Sequence, residues 1–150
     1  MDRFAQILYD LGKEIGIKLY PDENRICEID YRGVLHIQLE FDETKEQLLI
    51  STLICETPPG KFREKVLKEA LKCNALYPRV GTLAYSESNN RLVLFSSVPN
   101  EACNERKLFA LLEAFIKESE EWKEAIEQGK SLPSHAPNEE PGGGMFGLKP

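Results

Sequence analysis

Much is missing from this 150-residue sequence, and each absence narrows what the chain can do. Cations are in short supply: 19 Lys and Arg stand against 25 Asp and Glu, giving a net charge of -6. Nucleic acid or an anionic membrane calls for Lys and Arg gathered on one face, so neither is an expected partner. No apolar run approaches the length that spans a bilayer. The opening Met1-Asp2-Arg3-Phe4-Ala5-Gln6 lacks a basic stretch followed by an apolar one, and a cytoplasmic protein is expected. Four cysteines at 27, 55, 73 and 103 form no C-x-x-C pair, and no histidine completes a zinc pattern. They read as reduced thiols behaving as small apolar side chains. The glycine run 142–144 has no strand before it or helix after it, so it is not a phosphate loop. Of the two histidines, His36 falls on the more polar side of a strand and His135 in the tail, neither with a nucleophile and an orienting group. Glu113, Glu120 and Glu121 fall at helical spacing on a wet face, where carboxylates serve solubility. No metal, cofactor or catalytic residue is assigned, and the pattern points to binding. A nucleophilic Cys55 or Cys73 is kept as an alternative.

What the sequence does hold is one domain's worth of periodic elements. A first helix to about residue 15 carries Phe4, Ile7, Leu8, Leu11 and Ile15 as its stripe, with Asp2 as cap and Gly16 as stop. Three strands follow. Ile26 to Tyr31 ends at Arg32-Gly33. Val34 to Phe41 alternates strictly, with Leu35, Ile37, Leu39 and Phe41 on one face. In the third, Gln47 to Cys55, alternation fails, because Leu48, Leu49, Ile50, Leu53 and Ile54 put apolar groups on both faces. Such a strand needs covering on both sides, by the chain's own helices, a second subunit or a ligand.

After Pro58-Pro59-Gly60 the spacing of Phe62, Val66, Leu67, Ala70, Leu71 and Asn74 or Ala75 predicts a helix from Lys61 to about Leu76. A turn at 77–81 leads into a hairpin of Thr82–Glu87 and Arg91–Val98, joined by Ser88-Asn89-Asn90 and stopped by Pro99. Asn100 is placed to cap a last helix from about Glu101 to Gln128, with Leu108, Leu111, Leu112, Phe115, Ile116, Trp122 and Ile126 as its stripe and Gly129 as its end. The domain should therefore span 1–128. Residues 129–150, rich in Pro, Gly and Ser, should form a disordered tail, interrupted by Met145-Phe146-Gly147-Leu148. The order helix, three strands, helix, two strands, helix indicates an α+β fold, a twisted antiparallel sheet with helices packed on it.

This order resembles the class I type III secretion chaperones, the Tir chaperone family. The resemblance is carried by Asn74-Ala75-Leu76, Gly81-Thr82-Leu83-Ala84-Tyr85, Leu92-Val93-Leu94, Val98-Pro99 and the final stripe from Leu108 to Ile126, with Phe4, Leu8 and Leu11 fitting the opening. It covers about residues 1–128. The resemblance implies a homodimer in the bacterial cytoplasm that holds the N-terminal segment of secreted effectors in extended form, with no cofactor and no membrane insertion. The export-apparatus ATPase is a further candidate partner. On this basis the dimer interface should involve Val66, Leu67, Ala70, Leu71, Asn74, Leu83 and Tyr85. The effector groove should involve Phe4, Leu8, Leu11, Ile29, Leu35, Ile37, Leu48 and Ile50. Met145 and Phe146 are candidates to occupy the chaperone's own groove or to touch the export apparatus. The alternative is a small dimeric α+β binding module unrelated to secretion.

Overall fold

The computed structural model describes residues 2–133. Helix α1 (Arg3–Ile15) is followed by strands β1 (Ile26–Tyr31), β2 (Leu35–Asp42) and β3 (Gln47–Glu56). Helix α2 (Lys61–Asn74), strands β4 (Thr82–Ser86) and β5 (Arg91–Pro99) and helix α3 (Glu105–Gln128) complete the chain. The strands form one antiparallel sheet in the order β1-β2-β3-β5-β4. Strand β5, which is apolar on both faces around Leu92, Val93, Leu94 and Phe95, takes the interior position beside β3. The shorter β4 is left at the edge.

The helix ends follow local chemistry. Asp2 accepts from the Ala5 N–H at 2.8 Å, and Arg25 holds the Asp2 carboxyl below the ordinary carboxylate range by bonding it at 2.5 Å. Gly16 and Gly129 close α1 and α3 in the left-handed conformation. The cap of α3 differs from the expectation. Asn104 accepts from Lys107 N–H, while Asn100 opens a short 3-10 turn and is engaged by Arg3 of α1 instead. Gly12 has a steric reason to be glycine, since a Cβ there would sit 2.4 Å from the Ile17 carbonyl oxygen where the chain folds back over α1.

All three helices share one side of the sheet. Leu8 and Leu11 of α1, Val66 and Ala70 of α2, and Leu112, Phe115 and Trp122 of α3 join one apolar cluster with the inward residues of all five strands. The α2 stripe turns out to be Val66, Ala70 and Cys73, so Leu71 points outward and is 70% exposed. In β3 the inward set is Leu48, Ile50, Thr52 and Ile54, and an irregularity between Leu53 and Cys55 turns Cys55 inward as well. Leu49 and Leu53 point the other way, where none of the described helices lies. The two-faced apolar character read from the sequence is present, with one face covered and the other bare.

Candidate functional site

The bare side of the sheet divides in two. Over β1 and β2 it shows Glu28, Asp30, His36, Gln38 and Glu40. Over β3, β5 and β4 it becomes apolar. Leu53 lies opposite Val93, which lies opposite Ala84, and the next row places Phe95 between Ser51 and Thr82. Leu53 and Phe95 are 42% and 43% exposed, uncommon values for such side chains near the middle of a sheet.

The two edges differ more sharply. The Phe41 N–H donates to the Arg25 carbonyl, so the hydrogen-bonded pairs of the β1–β2 ladder alternate from there through Cys27, Ile29 and Tyr31. The backbone groups of Ile26, Glu28 and Asp30 therefore face outward. Asp22 satisfies Ile26, its N–H donating to the Ile26 carbonyl and its carboxylate accepting the Ile26 N–H. No other part of the described chain bonds the backbone of Glu28 or Asp30. On β4 the outward groups belong to Leu83 and Tyr85, and there α2 intervenes. The Asn74 side chain accepts from the Leu83 N–H and donates to the Leu83 carbonyl, both at 2.8 Å. One amide thus makes the two bonds that a neighbouring strand would make.

The expected interface residues separate accordingly. Val66, Ala70 and Leu83 are buried in the core of their own chain, and Asn74 is spent on the β4 edge. Leu67, Leu71 and Tyr85 remain on or near the surface, with Arg63 stacked over the Tyr85 ring at 5.7 Å. Phe4, Leu8, Leu11, Ile29, Leu35, Ile37, Leu48 and Ile50 are all buried between helices and sheet. Large apolar groups that do reach the surface in this part of the chain are Tyr9, Ile17, Tyr20 and Val34. Ile17 and Tyr20 precede β1 and Val34 follows it. Met145, Phe146 and His135 lie outside the described residues.

A further groove of about 700 Å³ runs between the 77–81 turn and the bare face. Tyr77, Val80, Leu49 and Phe95 give it apolar walls, and Lys45, Arg79 and Asp42 line it as well. The turn can lie flat on β5 because Gly81 has no side chain: a Cβ there would be 2.5 Å from the Phe95 carbonyl oxygen. No periodicity marks this groove in the sequence. A glycine three residues after Tyr77-Pro78 was its local sign.

The thiols are sequestered. Burial pushes Cys27 and Cys103 above the ordinary thiol value, and Cys55 is pushed up to about 11, burial first and Glu127 second. A protonated, buried Cys55 is a poor nucleophile near neutral pH, which argues against the alternative built on it. No group of three or more His, Cys, Asp or Glu among the described residues could hold a metal ion. No helix among them is long and apolar enough to cross a membrane.

An open-faced sheet with one unguarded edge can physically accept extended polypeptide by strand addition. The Tir chaperone protein (CesT) family matches residues 6–123, and the chain belongs to that family. No curated protein matches it in sequence. Among solved structures it is similar to a chain of the HopA1–SchA chaperone–effector complex, at 20% identity and a TM-score of 0.67 over 80% of this chain and 92% of that one. A chain of the ExsC–ExsE complex matches at 16% identity and a TM-score of 0.67, over 84% and 97%. A chain of the heterodimeric ExoU–SpcU complex from the type III secretion system of Pseudomonas aeruginosa matches at 16% identity and 0.64, over 83% and 98%. The α+β fold expected from the sequence is the fold of these chains.

Proposed function

We infer that this protein is a type III secretion chaperone that binds the N-terminal segment of one or more effector proteins in extended form and works as a cytoplasmic homodimer. Membership of the chaperone family over residues 6–123 carries the reading. The unguarded β1 edge supplies its physical basis. A guest strand laid beside β1 would bond the backbone of Glu28 and Asp30, and the side chains of Ile17, Tyr20 and Val34 at the two ends of β1 would meet its apolar residues. With Ile26 taken by Asp22, the five residues from Cys27 to Tyr31 offer roughly 16 Å of pairing length. Backbone pairing reads no sequence, so the apolar rims would set register and choice of guest.

The eight buried groove candidates enter this picture as the support beneath the edge rather than as contact surface. For the dimer, the available surface is the outward flank of α2 with Leu67 and Leu71, together with Tyr85 and the apolar row Leu53, Val93 and Ala84. Covering that row would remove the Leu53 exposure near the centre of the sheet. The test is co-expression with candidate effector N-terminal segments, followed by size-exclusion chromatography with light scattering. A dimer that shifts to two chaperone chains per effector is expected. A monomer, or a dimer that captures no effector segment, would overturn the reading.

A further inference from the structure

The described chain does not finish at the end of α3. Beyond Gly129 it turns back, Lys130 N–H bonds the Ala125 carbonyl, and Leu132 packs against the core. The Pro133 carbonyl then accepts from the Cys73 thiol of α2 at 3.7 Å. Cys73 also lines a small cavity of about 90 Å³ whose other walls include Pro78, Arg79, Val80 and Gly81. Those same four residues form one wall of the 700 Å³ groove on the bare face. The chain is thus delivered to the back of the turn whose front faces the groove, where apolar Tyr77, Val80, Leu49 and Phe95 alternate with polar side chains.

We propose that the segment Met145-Phe146-Gly147-Leu148 of the same chain docks in the groove between the 77–81 turn and Leu49 and Phe95. Reach permits it. Met145 is twelve residues beyond Pro133, which allows roughly 40 Å of extended chain and about 20 Å on average for a glycine-rich one. The whole domain has a radius of gyration of only about 14 Å. Chemistry favours this site over the β1 edge. Between Pro133 and Met145 the acidic residues are Glu139 and Glu140. The groove offers Lys45 and Arg79 against Asp42 alone, in a chain whose net charge is -6. The middle of the β1 edge would meet the same glutamates with Glu28 and Asp30, between Arg32 and an Arg25 already paired with Asp2 and Glu43. Like charges disfavour that docking and opposite charges favour the groove. Phe146 and Met145 supply apolar surface of the kind that Tyr77, Val80, Leu49 and Phe95 leave uncovered. This docking requires neither an effector nor a secretion apparatus, so it stands apart from the function proposed above.

The test uses the full chain with a photoreactive benzophenone side chain in place of Phe146, prepared from a mixture of light and isotopically heavy copies. Irradiation should join position 146 to residues 77–82, to Leu49 or to 95–97, with both linked peptides carrying the same label. Links between unlike labels would assign the groove to a second copy's tail. Links elsewhere on the chain, or none, would leave the segment unplaced. Either result overturns the proposal. A charge-reversed variant, K45E with R79E, should lose most of the cross-link, and adding E139K with E140K should restore it. Both groove positions are exposed, so folding is not at stake, and a yield indifferent to both changes also overturns the proposal.

Discussion

The two sides of the same five strands obey different rules. On the covered side the apolar residues join one core with the helices: Ile50 and Ile54 of β3 are almost wholly buried, as are Leu92 and Leu94 of β5. On the bare side, residues of the same strands one position away, Leu49, Leu53, Val93 and Phe95, are left partly or largely exposed by the described helices. Equal hydrophobicity therefore does different work according to parity. The covered side supplies stability, and the bare side together with its edges is left to bind.

Substitutions can break or sharpen that contrast. The largest effect is expected on the covered side, where Ile50→Ala should cost about 2–5 kcal/mol of unfolding free energy. Leu53→Ala on the bare side should change the stability of the single chain by less than about 1 kcal/mol while weakening any dimer. Denaturant titration followed by Trp122 fluorescence, at a chain concentration low enough to dissociate any dimer, separates the two, and comparable losses would refute the division. Next comes pH. Because the Cys55 thiol is raised to about 11 in the fold, its protonated form is favoured there. Its contribution is complete below the unfolded value and is lost as pH climbs from about 9 toward 11, on the order of 2 kcal/mol. Cys55→Ala should flatten that alkaline limb of the denaturation midpoint.

Asn74→Ala should cost about 1–2 kcal/mol by stranding the two Leu83 backbone groups. It should also make sedimentation concentration-dependent, since a second edge is then open. Opposite in character is Glu28→Pro. At an edge position it spares the ladder to β2, so thermal stability should move little. Capture of an effector segment should weaken at least about tenfold, or about 1.4 kcal/mol, as read by titration calorimetry. The smallest effect belongs to Asp2. Its lowered carboxyl favours the folded state above the ordinary carboxylate value and loses that contribution only as pH falls below about 3.8 toward its folded value. Asp2→Asn should therefore differ from the native chain near neutral pH and converge with it in acid.

How far the sequence announced this arrangement depended on whether a signal was local. The alternation of Val34 to Phe41 marked the covered face of β2, and the broken alternation of β3 marked a strand apolar on both sides. The helix stripes were legible because burial repeats with the helix period, although α2 blurred. Leu71 fits the stripe by hydrophobicity, yet the residue that packs inward a half-turn later is Cys73. The cap of α3 was misplaced for a non-local reason. Asn100 and Asn104 are both competent, and Arg3, 97 residues away in sequence, engages the first. Edges were less legible still, since nothing in Asn74 taken alone says that its amide will meet Leu83. The groove candidates read from family resemblance are apolar residues that this chain buries between its helices and its sheet, and burial depth is not marked by apolar character alone.

The Asn74 amide has one more consequence, a matter of counting. A five-stranded sheet ordinarily has two ends at which another strand can add, and a molecule with two such ends can polymerise. With Leu83 occupied, β4 retains a single outward position, Tyr85, too short a stretch to hold a strand. The sheet is left monovalent. Among the described residues one edge stays open to strand addition, and the chain itself closes the other.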